Sequence, residues 1–411
     1  MKKLSVSTLA ILTTLLFAAF PPAPLEAQTW AYVSVGTTHY AAIGTDGSLW
    51  TWGDNMVGQL GVGTSGHQTS ANTPVRVGTA TNWASVSVGA THTVAVRTDG
   101  SLWAWGTNWR GELGIGTSGD GTNTPVRVGT DTNWASVSAG WHYTMAIRTD
   151  GSLWAWGQNN HGQLGIGTSG WNDVRTIPTR VGTATNWTLV STGWTHTAAV
   201  RTDGTLWTWG QNHRGQLGIG TSDSGEGRTV PTRVGTGTNW ASVSAGPSHE
   251  SPFANGVEYN TGTHTAAVTT TGELWAWGAN TWGQQGDGTG GWDHIRTSPV
   301  RIGTDTNWAS VSAGWNRTVA IKTDGTLWLW HGRRGNLILD FETWSYSTAP
   351  DAVWERPAQE TTETWVFVSA GQFFLMAIRA DGTLWWWNWW WEWDDASSSW
   401  VSVFEITQIT R

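Results

Sequence analysis

One short pattern recurs along the chain: an Asp-Gly pair followed within three residues by Leu-Trp. The Asp stands at Asp46, Asp99, Asp150, Asp203, Asp324 and Asp381, with Thr271-Gly272 as the variant. The spacings are 53, 51, 53, 68, 53 and 57 residues, which makes seven copies. Self-similarity at such periods marks units that bury their apolar faces only against one another. It therefore overrides the two or three independent domains that a length of 411 residues would suggest. A single closed ring is the expected organisation.

Each copy reads as four short strands. In residues 83–129, Trp83 to Val88 alternates until Gly89 breaks the pattern, and Thr93 to Arg97 is rich in β-formers. Asp99-Gly100 is a tight-hairpin dipeptide, because glycine tolerates positive φ. Ser101 to Trp105 forms the third strand, and after a glycine-rich loop Pro125 to Val128 forms a fourth. Proline is expected at the start of that strand, where no ladder donor is lost. No segment sustains a 3.6-residue apolar period, so no helix is expected in the repeats. The pattern predicts an all-β, seven-bladed β-propeller of four-stranded antiparallel blades. The units fall at about 28–78, 79–129, 130–182, 183–235, 236–303, 304–360 and 361–411.

The chain holds 36 Trp and 53 Gly, but no Cys. Two Trp columns recur in all seven copies: the Leu-Trp-x-Trp pair (Trp103 and Trp105 in the second copy) and a Trp opening the first strand (Trp83). Residues two apart on a strand face the same way. Each pair should therefore present two rings to a neighbouring blade, and these tryptophans are read as structural. The absence of Cys excludes disulfide scaffolds, thiol nucleophiles and zinc ribbons. A formal charge of −8 with no basic run argues against a nucleic-acid partner.

Residues 1–27 read as an export signal: Lys2 and Lys3, a mostly apolar stretch from Leu4 to Phe20, then Pro21-Pro22-Ala23-Pro24, with cleavage expected after Ala27. A short membrane anchor is the alternative, although five Ser and Thr interrupt the stretch. No later segment approaches the ~18 apolar residues of a membrane span. A secreted, periplasmic or cell-surface location follows from this reading.

The run G-x-x-H-T, (R)TDG-[ST]-L-W-x-W-G-x-N-x-x-G-Q-L-G-x-G-T and P-x-R-V, clearest at 89–128 and 193–234, resembles the regulator of chromosome condensation repeat. The resemblance implies a seven-bladed propeller. Functions in that family range from guanine-nucleotide exchange on a small GTPase to secreted inhibition of β-lactamase, so fold alone does not fix function. The sixth copy departs at Arg333 to Asp340, and the seventh replaces the glycine-rich loop with Asn388 to Trp393. Gly140-Trp-His-Tyr-Thr144 and Gly193-Trp-Thr-His-Thr197 resemble the GWRHT element of plant ultraviolet-B photoreceptors. His142, Thr195 and Asn316 stand where that element has Arg.

Catalytic signals are weak. Gly61 to Gly66, Gly114 to Gly119 and Gly165 to Gly170 match GxGxxG, but sit between strands without the helix that a dinucleotide needs. They are expected to be tight turns. His39, His92, His196 and His264 share one column, which a ring spreads around its axis, so locally bonded, turn-stabilising imidazoles are expected rather than a metal or base cluster. No HExxH or GxSxG occurs. The reading is non-enzymatic, with no cofactor or metal.

The informative residues break the repeat. Trp141, Trp194 and Trp315 follow the glycine after the first strand; Trp109, Trp171, Trp282 and Trp292 lie in third-to-fourth loops. An up-down meander puts all seven on one face. The insertion 247–261, carrying His249, Phe253 and Tyr259, falls there too. Clustered aromatic loops on a rigid scaffold mark interaction surfaces. A protein partner is the first expectation. A cell-surface or extracellular glycan is the second, and nucleotide exchange on a GTPase is a third, implied by the family. Alternatively, some rings fold inward and plug the central channel. Trp389, Trp390, Trp391 and Trp393 either cap the ring or form a patch.

Overall fold

A computed structural model describes residues 28–222, 227–247, 249–251, 259–261, 263–291, 294–331, 337–340, 345–348, 358–359, 363–394 and 399–410. The proposed signal segment 1–27, together with Phe253 and Trp292, lies outside the described residues. So do the side chains of His249, Tyr259 and Trp389 to Trp393.

Seven four-stranded antiparallel sheets span 30–76, 83–127, 134–180, 187–233, 240–301, 308–359 and 365–409, numbered here blades 1 to 7. In blade 2 the strands are Trp83–Val88, His92–Arg97, Leu102–Asn108 and Gly119–Arg127. The outer strand starts earlier than the sequence suggested. Pro125 is not at its start; it falls in an irregular stretch between the pairs Ala104–Val126 and Gly106–Thr122. A bulge on an edge strand accommodates the missing N–H there.

Among the described residues, seven apolar cores lie one between each pair of neighbouring blades. Ala41, Ile43, Leu49 and Val77 of blade 1 meet Trp83, Val86, Ala95 and Trp105 of blade 2. The indole rings are wedges with a handle. Trp83 packs edge-on to Trp103 and Trp105, at 6.4 and 6.1 Å between centroids. Trp105 Nε1 donates to the Gln59 carbonyl of the preceding blade at 2.9 Å. The same bond joins Trp156 to Glu112, Trp209 to Gln163, Trp277 to Gln216 and Trp330 to Gln284. A buried indole needs an acceptor, and the preceding blade's loop supplies it.

Nearer the axis, each inner strand is tied to the next by a serine hydroxyl. Val88, Ala139, Thr192, Ala245, Ala313 and Ala370 donate their backbone N–H to Ser34, Ser87, Ser138, Ser191, Ser244 and Ser312 at 2.9–3.1 Å. Val35 of blade 1 donates to Ser369 of blade 7, which completes the circle. One residue further along, Gly36, Gly89, Gly140, Gly193, Gly246, Gly314 and Gly371 each approach the carbonyl of the next such glycine. A Cβ on any of them would lie no more than 2.9 Å from that oxygen. Every blade is continuous in sequence, so closure comes from blade 7 packing on blade 1 rather than from strand exchange. Trp30 N–H also reaches the Gly382 carbonyl there at 2.9 Å.

The GxGxxG segments are turns. Gly61 and Gly63 take φ of +70° and +88°. Asn55 clamps the loop, accepting from Leu60 N–H and donating to the Thr64 carbonyl.

Candidate partner-binding face

The meander brings the first-to-second and third-to-fourth connections to one face, around the mouth of the central channel. The channel encloses a cavity of about 140 Å³, lined by inner-strand residues of all seven blades. Its rim residues follow the glycine circle: Thr37, Ala90, Trp141, Trp194, Pro247, Trp315 and Gln372.

Three of those rim positions carry indoles, and the structure groups them. Trp141 and Trp194, on adjacent blades, lie with ring centroids 3.7 Å apart. Trp315 contacts Trp282 at 6.5 Å and Phe373 at 6.0 Å. Phe373 is 38 % exposed and was not anticipated, because it sits one place beyond the repeated tryptophan column. Its neighbour Phe374 stacks on Trp386 at 5.6 Å and meets Tyr40 of blade 1. On the outer loops, Trp109 is 61 % and Trp171 74 % exposed.

Two of the irregular rings are buried rather than exposed, and at Trp194 it is the inward-folded alternative that holds. Trp194 retains 6 % of its surface and lines the channel; Trp282 retains 8 %. Trp194 is covered by Trp141, and Trp282 packs beside Trp315. Burying two large rings against each other removes more apolar surface from water than leaving both exposed. The described parts of the 247–261 insertion form a hairpin in which His249 pairs with Thr261 and Ser251 with Tyr259.

The histidine column also differs from expectation. These imidazoles bond across blades rather than locally: His39 Nε2 to Thr93 Oγ1 at 2.8 Å, His92 to Thr144, His196 to Thr265 and His264 to Thr318. Each of those threonines donates in turn to a loop carbonyl of the preceding blade, as Thr93 does to Gln59. Burial pushes His39 and His196 down to about 3 and His92 to about 4. Neutral, fully buried imidazoles of this kind are fasteners.

One polar pair lies just beneath the face. Glu112 replaces the glutamine found at positions 59, 163, 216 and 284, and its buried carboxylate lies 3.3 Å from His142 Nδ1. Burial raises its pKa, but the His142 hydrogen bond and the nearby histidines outweigh that and hold it below the usual carboxylate range. Among the described residues, no group of three or more His, Cys, Asp or Glu could hold a metal ion.

A family model described as the RCC1-like domain matches residues 16–254, more than half of the chain. The chain belongs to the RCC1-like family. A regulator of chromosome condensation (RCC1) repeat matches 271–321 as well. Among curated RCC1-like proteins, the ultraviolet-B receptor UVR8 of Arabidopsis thaliana is 31 % identical over 321 residues, 76 % of this chain and 68 % of that one. The mitochondrial RCC1 domain-containing protein RUG3 of the same plant is 31 % identical over 283 residues, 66 % of this chain and 58 % of that protein. Human WBSCR16 shares the fold with a TM-score of 0.67 at 17 % identity, covering 86 % of this chain and 87 % of that one. Prp20p of Saccharomyces cerevisiae, described with its binding properties to Gsp1p and histones, has a TM-score of 0.65 at 22 % identity, covering 84 % and 80 %. The loop face of this RCC1-like ring carries the aromatic residues that depart from the repeat.

Proposed function

We propose that the chain is an exported, non-enzymatic binding protein that engages a protein partner through the tryptophan-bearing loop face. The observation that carries this is the exposure of Trp109 and Trp171 on the same face as the Trp141–Trp194 and Trp282–Trp315–Phe373 groups. Large rings held out in water cost solvation without helping the fold. Covering about 130 Å² of each exposed indole contributes about 3 kcal/mol per ring. Indoles have only two side-chain torsions, so docking them loses little entropy. Protein binding by Prp20p, as its description states, supports the class of partner. Lys2, Lys3 and the apolar stretch that follows support export.

The test is capture from culture medium and cell envelope with the tagged chain, followed by titration of the purified partner. Trp109→Ala with Trp171→Ala should weaken that binding at least tenfold. Unchanged affinity in the double variant contradicts the reading. Saturable binding on a glycan array, lost in Trp141→Ala or Trp315→Ala, would replace it with a lectin. Retention of the protein in the cytoplasm would remove the export part alone.

A further inference from the structure

Between blades 1 and 2 the wall of the ring opens into a cavity of about 550 Å³, where the 61–63 turn and the 76–80 connection of blade 1 meet blade 2. That volume falls within the ~300–1,000 Å³ of small-molecule sites. Ala80, Trp83, Trp103 and Pro125 give it apolar walls, Thr79 and Thr124 add hydroxyls, and Arg76 and Arg97 bring positive charge.

Arg97 is the centre of the cleft. Its guanidinium lies 4.5 Å from the Trp83 ring and 4.0 Å from that of Trp103. The same cation between two indoles recurs as Arg148, Arg201, Lys322 and Arg379. What varies is its counter-charge. Asp131 pairs with Arg148, Asp305 with Lys322 at 2.7 Å, and Glu363 lies 3.8 Å from Arg379. In the connection that enters blade 2, Ala80 holds the place of Asp131 and Asp305, three residues before the opening tryptophan. Among the described residues, no ion pair joins Arg97 to a carboxylate. Asp99 is committed to Ser101, accepting from its N–H at 2.9 Å and its hydroxyl at 2.6 Å. The buried Trp83 Nε1 and Arg97 Nε also have no acceptor. The indole nitrogen is unpartnered in several other blades too, and so is Nε of Arg148, Arg201 and Arg379. It is the Ala80 substitution that sets this cleft apart from those of Arg148 and Lys322.

We propose that this cleft binds a small organic carboxylate of sugar-acid size. The ligand's carboxylate takes on Arg97 the place that Asp131 and Asp305 take on Arg148 and Lys322. Its body lies against Pro125 and Trp103, with ring hydroxyls toward Thr79, Thr124 and Arg76. A free uronate and the uronate unit of an acidic polysaccharide share this chemistry. None of the loop-face tryptophans lines it, so it stands or falls independently of the partner proposed there.

The experiment titrates the full chain with glucuronate, with a uronate trimer and with neutral methyl glucoside, following indole NMR signals and calorimetry. Saturable uronate binding and none by the glucoside are expected. The variant Ala80→Asp installs a residue that blades 3 and 6 already carry at this place, so it should melt with the wild type. It should weaken binding at Arg97 at least tenfold. Ala184 stands beside Arg201 as Ala80 does beside Arg97; the double variant A80D/A184D controls for a second site there. Asp131→Ala should add a binding equivalent at Arg148. Tighter binding of the trimer assigns the ligand to a polysaccharide, and equal binding to the free acid. No saturable binding at tens of millimolar, or an affinity unchanged in A80D and in A80D/A184D, overturns the proposal.

Discussion

Ser369 in the seventh blade accepts the backbone N–H of Val35 in the first, at 3.0 Å, and thereby repeats at the seam of the ring the bond that links every other pair of blades. The seam is thus built like the six continuous joints. Ser369→Ala leaves one backbone donor less well paired and should cost about 1 kcal/mol. Gly371→Ala places a methyl against the Gly36 carbonyl and Val35, forces the two blades apart, and should cost more than about 2 kcal/mol. Urea denaturation of both variants checks the order.

Trp209 separates packing from hydrogen bonding. Its ring is fully buried and its Nε1 donates to the Gln163 carbonyl at 2.8 Å. Trp209→Ala should cost about 3–5 kcal/mol through the cavity it leaves. Trp209→Phe keeps most of the apolar area and loses the donor, so the cost should be smaller. The Gln163 carbonyl keeps Thr197 as a partner at 2.9 Å. Melting temperatures of the pair, compared with Trp171→Ala, give the test. Trp171 is mostly solvated, and its loss should stay within about 0.5 kcal/mol.

The buried histidines make the ring acid-sensitive. Burial pushes His39 and His196 down to about 3, and His92 and His213 to about 4, when folded, against 6.5 when unfolded. Between those values the unfolded chain binds protons that the folded chain does not. Their contribution is therefore intact above pH 6.5 and is lost as pH falls toward 4, each with a slope approaching about 1.4 kcal/mol per unit. Urea midpoints at pH 7, 6 and 5 should fall steadily. His196→Gln, neutral throughout, should flatten that fall by roughly a quarter of the four-histidine total. An identical slope in the variant contradicts the assignment.

Glu112 offers a substitution that the protein has already tried. Glutamine occupies its place in four other blades and makes the same bond to the backbone N–H two residues earlier, as Gln216 does to Arg214 at 2.8 Å. Glu112→Gln should be close to neutral at pH 7. Glu112→Ala strands the Arg110 N–H and should cost about 1–3 kcal/mol. Chemical denaturation distinguishes them.

Much of the architecture was legible because it is written locally. The Asp-Gly turns, the alternation of Trp83 to Val88 and the two tryptophan columns act within one repeat, and the blades follow from them. What escaped lies between repeats. The acceptor for His39 is a threonine 54 residues away, and nothing near His39 announces it. The fate of Trp194 depends on Trp141 in the blade before, so a loop position that reads as exposed is covered. The cations stacked on the opening tryptophans lie beside a turn motif, and nothing around Arg97 in the sequence announces the rings of Trp83 and Trp103. Phe373 was missed because it lies off the repeated column, although it joins the aromatic group around the channel mouth.

The measurement that tests the account most directly is oxidative footprinting of the tryptophans, with and without the captured partner. In the free chain, Trp109 and Trp171 should be modified rapidly, Trp141 and Trp315 more slowly, and Trp105, Trp156, Trp209, Trp277 and Trp330 not at all. With the partner bound, protection should appear on the first four only. Rapid labelling of the wall tryptophans in the free chain, or protection confined to the Asp-Gly face, would contradict it.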